Sequence, residues 1–200
     1  MSNGLKGLPN FVAIEGVDGV GKTTIAQKMV ENYGYVYRYT LPEPFGKIRK
    51  AVDDLGHPDA RFFYYLSCVI GFQRELLSLL VSGERVVVDR YIYSTFVMHE
   101  AMGASVNCVD MASLPIVFPD KTILLSCSSE VRNSRILMRG KESQDYIQSK
   151  SNEFDRASRY FYEISNQMSV VETTDMNSDE VYRAVSGILI QKGGKDVGHI

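Results

Sequence analysis

Apolar residues in this chain fall into short continuous runs separated by longer, mixed stretches. The runs are "FVAI" from Phe11, "VVV" from Val86, "TILL" from Thr122 and "SVV" from Ser169, with a weaker one, "YVYRY", from Tyr35. They are continuous rather than alternating, which is the pattern of parallel strands covered on both faces. The stretches between them read as helices. "TTIAQKMVENYG" gathers Ile25, Ala26, Met29 and Val30 on one side and ends at a capping glycine, Gly34. "DARFFYYLSCVIGFQRELLSLLVSG" is longer and more apolar; it starts after Pro58, with Asp59 as its cap, and stops at Gly83. "SEVRNSRILMRG", "SNEFDRASRYFYEIS" and "NSDEVYRAVSGILIQ" complete the set. Strand and helix alternate along the whole chain, so the expectation is one α/β domain over residues 1–200 with a mainly parallel sheet and a frayed, glycine-rich tail over about 192–200.

Composition narrows the class without naming a function. Two hundred residues suffice for one domain with a substantial core, and 44% hydrophobic with 23% charged residues is ordinary for a globular chain. A net charge of −2 argues against a nucleic-acid binder, which usually carries a basic excess. No apolar run reaches the eighteen or so residues of a membrane span, and "MSNGLKGLPN" lacks the apolar core of a secretory signal. Cys68, Cys108 and Cys127 are odd in number and lack metal-type spacing, so they read as reduced thiols of a cytoplasmic protein.

The chemistry sits in "GVDGVGKTT", residues 16–24, directly after the first apolar run. Gly16, four residues, then Gly21-Lys22-Thr23 is the spacing of a phosphate-binding P-loop, and a strand before it with a helix after it is the context that motif requires. Glycines such as Gly16, Gly19 and Gly21 let backbone N–H groups converge on phosphate oxygens, and the helix N-terminus adds partial positive charge. Val20 and Thr24 complete the loop; Lys22 would reach the β- and γ-phosphates, and the Thr23 hydroxyl would ligate Mg²⁺. "RVVVDR" ends an apolar strand in Asp89, the place of a carboxylate that helps hold the metal. A nucleoside triphosphate, ATP, with Mg²⁺ is therefore expected here.

These residues resemble a known family. "FVAIEGVDGVGKTT" is similar to the P-loop of thymidylate kinases, "VVVDRYIYS" to their Asp-Arg-Tyr-x-x-Ser segment, "SNEFDRASRYFYEIS" to the helix after their lid, and "VVETTDMNSDEVYRAVSGIL" to their last strand and helix. The resemblance implies a three-layer P-loop kinase fold with a five-stranded sheet, and γ-phosphoryl transfer from ATP to a pyrimidine deoxynucleoside monophosphate, dTMP above all. It implies that Asp18 contacts the acceptor sugar with help from Glu15, and that Arg90 binds the acceptor phosphate with Ser94 beside it. It also implies a lid over about 135–148 that brings Arg135 or Arg139 onto the transferring phosphoryl, where a guanidinium neutralises spread charge. The family's dimers make a homodimer a further expectation.

Two family arginines have no counterpart. Pro42 or Pro44 stands where the loop after the second strand carries one, with Arg49 a few residues on; Val69 or Cys68 stands where the long helix carries the base-reading one, with Arg74 further along. Tyr64 or Tyr65 offers a ring on which a base can stack, and Met98 and His99 replace the Tyr-Gln of many bacterial members. Read blandly, most of "RFFYY" is core, Arg74 is a solvated helix residue and His99 is structural. A deoxynucleoside kinase, which needs no grip on an acceptor phosphate, and a nucleotide-binding kinase-like protein of weak activity are the competing readings.

Overall fold

A computed structural model of the chain describes residues 7–140 and 144–190. Five strands form one sheet in the order β2-β3-β1-β4-β5, every neighbouring pair parallel. They are β1 (Phe11–Glu15), β2 (Val36–Tyr39), β3 (Val86–Asp89), β4 (Lys121–Ser126) and β5 (Ser169–Glu172). Seven helices connect and follow them: α1 (Lys22–Tyr33), α2 (Phe45–Asp54), α3 (Pro58–Val81), α4 (Ile92–Ala101), α5 (Ser129–Met138), α6 (Gln144–Glu163) and α7 (Ser178–Ile190). All five expected strands are present.

The two faces of the sheet follow from strand alternation. On β1, Val12 and Ile14 point into a core shared with Ile25, Ala26 and Met29 of α1, Phe154 and Phe161 of α6, and Val185 and Leu189 of α7. Phe11 and Ala13 face the opposite core, with Val86 and Val88 of β3, Phe62, Leu66, Val69 and Phe72 of α3, and Ile92 and Phe96 of α4. Central strands buried on both sides must be apolar throughout, which is why the runs are continuous.

Helix boundaries differ from the sequence expectation in three places. Helix α3 includes Pro58 at its first turn, where a missing N–H costs nothing, and its cap is His57, whose ring accepts from the Ala60 N–H at 3.4 Å. Asp59 lies inside that turn and instead accepts from the Ser105 N–H at 2.6 Å. Helix α2, over "FGKIRKAVDD", had no sequence forecast: Phe45, Ile48 and Val52 make a short apolar stripe on it, but it spans only ten residues and buries none of them fully. Helix α6 starts earlier than the stretch that announced it. The tail over 192–200 and residues 141–143 of the expected lid lie outside the described residues.

The order 2-3-1-4-5 puts β1 between β3 on one side and β4 on the other, so the connections leave in opposite directions at its C-terminal end. A crevice at that point is where open parallel sheets bind ligands. The glycine-rich loop occupies it.

Candidate active site

Residues 16–21 bridge β1 and α1 with backbone that only glycine adopts freely. Gly16, Gly19 and Gly21 have φ of 131°, 88° and 104°. A Cβ on Gly16 would stand 2.3 Å from the Leu125 carbonyl oxygen, and one on Gly19 would stand 2.9 Å from Arg132 Cγ and 3.0 Å from the Arg132 carbonyl. The loop is thus pressed against β4 and α5, with its open side toward a cavity of about 160 Å³. Gly19, Gly21, Lys22, Thr23, Asp89 and Arg139 line that cavity. Val20 turns away into the core, and Thr24 is exposed in the first turn of α1.

Lys22 is buried and donates to the Val17 carbonyl at 2.8 Å. Burial lowers its pKa to about 8, with the Arg90 cation adding to the effect. An anion bound in the cavity favours the charged amine and so opposes both effects. In the free enzyme the charge on Lys22 is lost as pH rises through about 8, so kcat/KM for ATP should fall along an alkaline limb there. In kcat that limb should move upward, because bound triphosphate favours the charged amine. A pH profile of both constants checks this; coincident limbs would remove the role given to Lys22.

Thr23 Oγ1 donates to Asp89 Oδ2 at 2.5 Å. A hydroxyl and a carboxylate side by side suit Mg²⁺, which takes oxygen ligands and keeps waters and phosphate oxygens in the rest of its shell. Among the described residues no group of three His, Cys, Asp or Glu side chains could hold a metal unaided, in keeping with an ion shared with phosphate.

A second cavity, of about 220 Å³, adjoins the first and shares Asp18, Tyr39 and Arg90 with it. Arg90 is the only non-glycine residue with positive φ among those described, at 69°. Such backbone costs on the order of 1–3 kcal/mol and is held here from both sides: its N–H donates to the Ile14 carbonyl at 3.0 Å and its carbonyl accepts from Thr40 Oγ1 at 3.2 Å. The twist aims the guanidinium at Asp18 Oδ1, 2.6 Å away, and at Ser94 Oγ, 3.3 Å away. Arg90 in turn holds the Asp18 carboxyl well below the usual carboxylate range.

Glu15 explains how α4 is set. It is fully buried, and its carboxylate accepts from the backbone N–H groups of Tyr91, Tyr93 and Ser94 at 3.1–3.2 Å and from Ser94 Oγ. These are the orphan donors of a helix N-terminus, so Glu15 caps α4 from another strand. Burial pushes its pKa up against the pull of those donors. The cap fixes the helix that carries Ser94, Thr95, Met98 and His99 along one wall of the larger cavity.

Further lining of that cavity comes from α2, α3 and α6: Arg49, Arg61, Tyr65, Lys150, Glu153 and Phe154. Arg49 and Arg61 lie 6.0 and 5.7 Å from the Tyr65 ring centre, and Asp53 pairs with both, 3.4 Å from Arg49 Nε and 2.9 Å from Arg61 Nε.

Not every expected residue reaches a cavity. Tyr65 lines the larger one, whereas Tyr64 is buried and donates its hydroxyl to the Phe45 carbonyl at 2.7 Å, bracing α2. Arg74 is exposed on α3 and lines neither cavity. Glu15 lines neither and acts through α4. Val69 and Cys68, the positions of the missing family arginine, are buried, Val69 in the core beneath α3. Of the two arginines expected in a lid, Arg139 lines the smaller cavity. Arg135 is engaged elsewhere, donating to Thr173 Oγ1, to the Thr173 carbonyl and to the Met176 carbonyl at 2.9, 2.8 and 3.3 Å, which pins the loop between β5 and α7. His99, read as structural, lines the larger cavity. Arg61, Tyr39, Thr95, Lys150, Glu153 and Phe154 were missed. Arg61 could have been found, since it stands one helical turn before Tyr65 and so shares its face.

A glycine cradle on a parallel sheet, with Thr23 and Asp89 at its floor and a basic cavity opening beside it, defines a P-loop nucleotide kinase. The comparisons agree and go further: the thymidylate kinase family model matches residues 14–185, and the chain belongs to that family. It is 30% identical over 192 residues to a probable thymidylate kinase of Archaeoglobus fulgidus, covering 90% of this chain and 94% of that one. It is also 25% identical over 188 residues to a thymidylate kinase of Mycoplasma genitalium, covering 85% of this chain and 89% of that one. Among solved structures, thymidylate kinase from Candida albicans superposes with a TM-score of 0.73 at 20% identity, covering 90% of this chain and 91% of that one. Deoxyadenosine kinase from M. mycoides superposes with 0.60 at 17%, covering 90% and 98%. Both structural likenesses concern the fold.

Proposed function

We propose that this protein transfers the γ-phosphoryl group of Mg·ATP to dTMP, giving ADP and dTDP. The observation that carries the reading is the junction of the two cavities: Asp18, Tyr39 and Arg90 belong to both, so a donor phosphate in one meets an acceptor phosphate in the other. The larger cavity presents four cationic side chains, Arg49, Arg61, Arg90 and Lys150, against Asp18 and Glu153, with Asp53 behind the first two. That positive excess favours a phosphorylated acceptor over a nucleoside, and Arg49 supplies a guanidinium near the loop where Pro42 and Pro44 stand.

In this reading the P-loop N–H groups and Lys22 hold the β- and γ-phosphates, and Arg90 orients the acceptor phosphate toward them. Asp18 takes the acceptor sugar hydroxyl. The segment over about 135–148 acts as the lid, with Arg139 meeting charge that spreads over the transferring oxygens. Mg²⁺ held by Thr23 and Asp89 supplies further charge neutralisation on the phosphates. No covalent intermediate is needed, because positioning and electrostatics account for catalysis of this transfer. A cytoplasmic place for the enzyme is part of the proposal, supported by its three unpaired cysteines.

The test is ADP release with ATP and Mg²⁺ against dTMP, dUMP, dCMP, thymidine and deoxycytidine. Turnover is expected on dTMP and at most traces on thymidine; turnover on nucleosides alone would replace this reading with the deoxynucleoside kinase.

A homodimer is part of the proposal. Phe63, Ile70 and Leu77, spaced by seven on α3, leave an apolar stripe in solvent, with side chains 37–49% exposed. A seven-residue stripe matches helix-on-helix packing against the same face of a second copy. Sedimentation should give twice the chain mass, and Ile70→Glu should give a monomer.

A further inference from the structure

Among the described residues, four buried side-chain polar atoms lack a hydrogen-bond partner: Arg61 Nε, His99 Nε2, Tyr182 Oη and Ser186 Oγ. The last two lie one turn apart on α7. The first two belong to residues that line the acceptor cavity. A buried polar atom left unpaired is costly, so an orphaned donor and an orphaned acceptor on residues that line one cavity call for a ligand that completes both.

The chemistry of each is fixed by its neighbours. His99 Nδ1 lies 2.6 Å from the Thr95 carbonyl, which can only accept, so Nδ1 carries the proton and Nε2 keeps a lone pair. Burial holds the ring neutral, with its pKa down at about 4; the Arg61 and Arg90 cations push the same way, and the Asp53 carboxylate pulls against them. Arg61 Nε is 2.9 Å from Asp53 Oδ1, an ion-pair distance, yet its N–H is not aligned to form a hydrogen bond. Tyr65 ties the two together. Its ring centre is 5.0 Å from that of His99 and 5.7 Å from Arg61 Cζ. All three line only the larger cavity, whereas Arg90 and Asp18 line both, so this corner lies on the side away from the phosphates.

We propose that Arg61 and His99 read the edge of the acceptor base, the Arg61 guanidinium donating to a ring carbonyl and His99 Nε2 accepting from the adjacent ring N–H. This rests on the dTMP kinase reading and deepens it by naming the residues that set base selectivity. A 4-keto pyrimidine presents O4 beside N3–H, which matches a donor beside an acceptor. Cytosine presents an amino donor beside an unprotonated N3, which sets donor against donor and acceptor against acceptor. Tyr65 offers the face beside that edge. The pair takes over the task of the arginine absent at Val69 and Cys68, from a point two turns earlier on the same helix.

The experiment compares kcat/KM for dTMP and dCMP in the wild type, His99→Leu and His99→Gln, with thermal unfolding as a check on folding. Wild type should prefer dTMP; His99→Leu should lose about tenfold or more of kcat/KM on dTMP, mostly in KM, with dCMP unchanged or improved. His99→Gln, whose amide oxygen can accept, should recover much of the loss. A folded His99→Leu with the wild-type ratio overturns the inference and leaves the kinase reading standing, as does a wild type that prefers dCMP. A wild type that phosphorylates neither nucleotide brings down both. The nitrogen resonance of His99 Nε2 in the wild type gives a second readout: it should shift on binding dTMP and not dCMP, and no shift with dTMP overturns the inference whatever the variants do.

Discussion

Lys22→Ala should lower kcat by at least about a hundredfold, while the fold persists. Among the described residues Lys22 is the one lysine that lines the smaller cavity, and it is already desolvated and held on the Val17 carbonyl at 2.8 Å. A cation waiting in place, out of water, stabilises charge that develops during transfer without reorganising at that moment. The Val17 bond is local, so its loss should lower the melting temperature only modestly. Steady-state ADP release on dTMP, with the unfolding midpoint beside it, makes the check. A near-normal rate in a folded variant would mean that the phosphates do not sit in this loop. Arginine is not expected to rescue, since its planar fork does not fit where a compact ammonium is buried.

The second large effect separates the two lid arginines. Arg139→Ala should reduce kcat by roughly a thousandfold, the scale of an arginine placed over a transferring phosphoryl. Arg135→Ala should leave kcat within about tenfold of wild type and act instead on the KM for ATP. The reason is positional: Arg139 lines the phosphate cavity, while the Arg135 guanidinium spends three hydrogen bonds on the loop between β5 and α7, the loop that family resemblance puts near adenine. Kinetics of both variants with ATP varied at saturating dTMP decide it; the opposite ranking would exchange the two roles.

Much of the fold was legible because its strands are buried on both faces and its P-loop has a fixed spacing. The site was legible where a residue's role is local. Gly16, Gly19, Gly21, Lys22, Thr23 and Asp89 gather around one cavity or its walls as their spacing implies. What escaped depends on how separate elements meet. Nothing in the sequence near Glu15 says that its carboxylate caps a helix that starts 77 residues later. Helix α2 itself went unseen, although Arg49, which it carries into the cavity, was singled out from the sequence. Tyr64 and Tyr65 are adjacent in sequence and one helical step apart, which sends one under α2 and the other to the larger cavity. Lys150 and Phe154 reach the cavity from a helix that starts more than forty residues beyond the end of α4, a contact that only the packed structure reveals.

The Glu15 cap has a practical consequence for anyone wishing to redirect this enzyme. Because that carboxylate clamps the first turn of α4 to the central strand, the helix is anchored at the end beside the glycine-rich loop and its later turns run along the larger cavity. Its later positions, Thr95, Met98 and His99, can then be exchanged as an interchangeable panel, with the phosphoryl-transfer apparatus left on its own foundation. Libraries aimed at new nucleotide analogues should therefore vary those three residues with Arg61 and leave Glu15, Arg90 and Ser94 untouched.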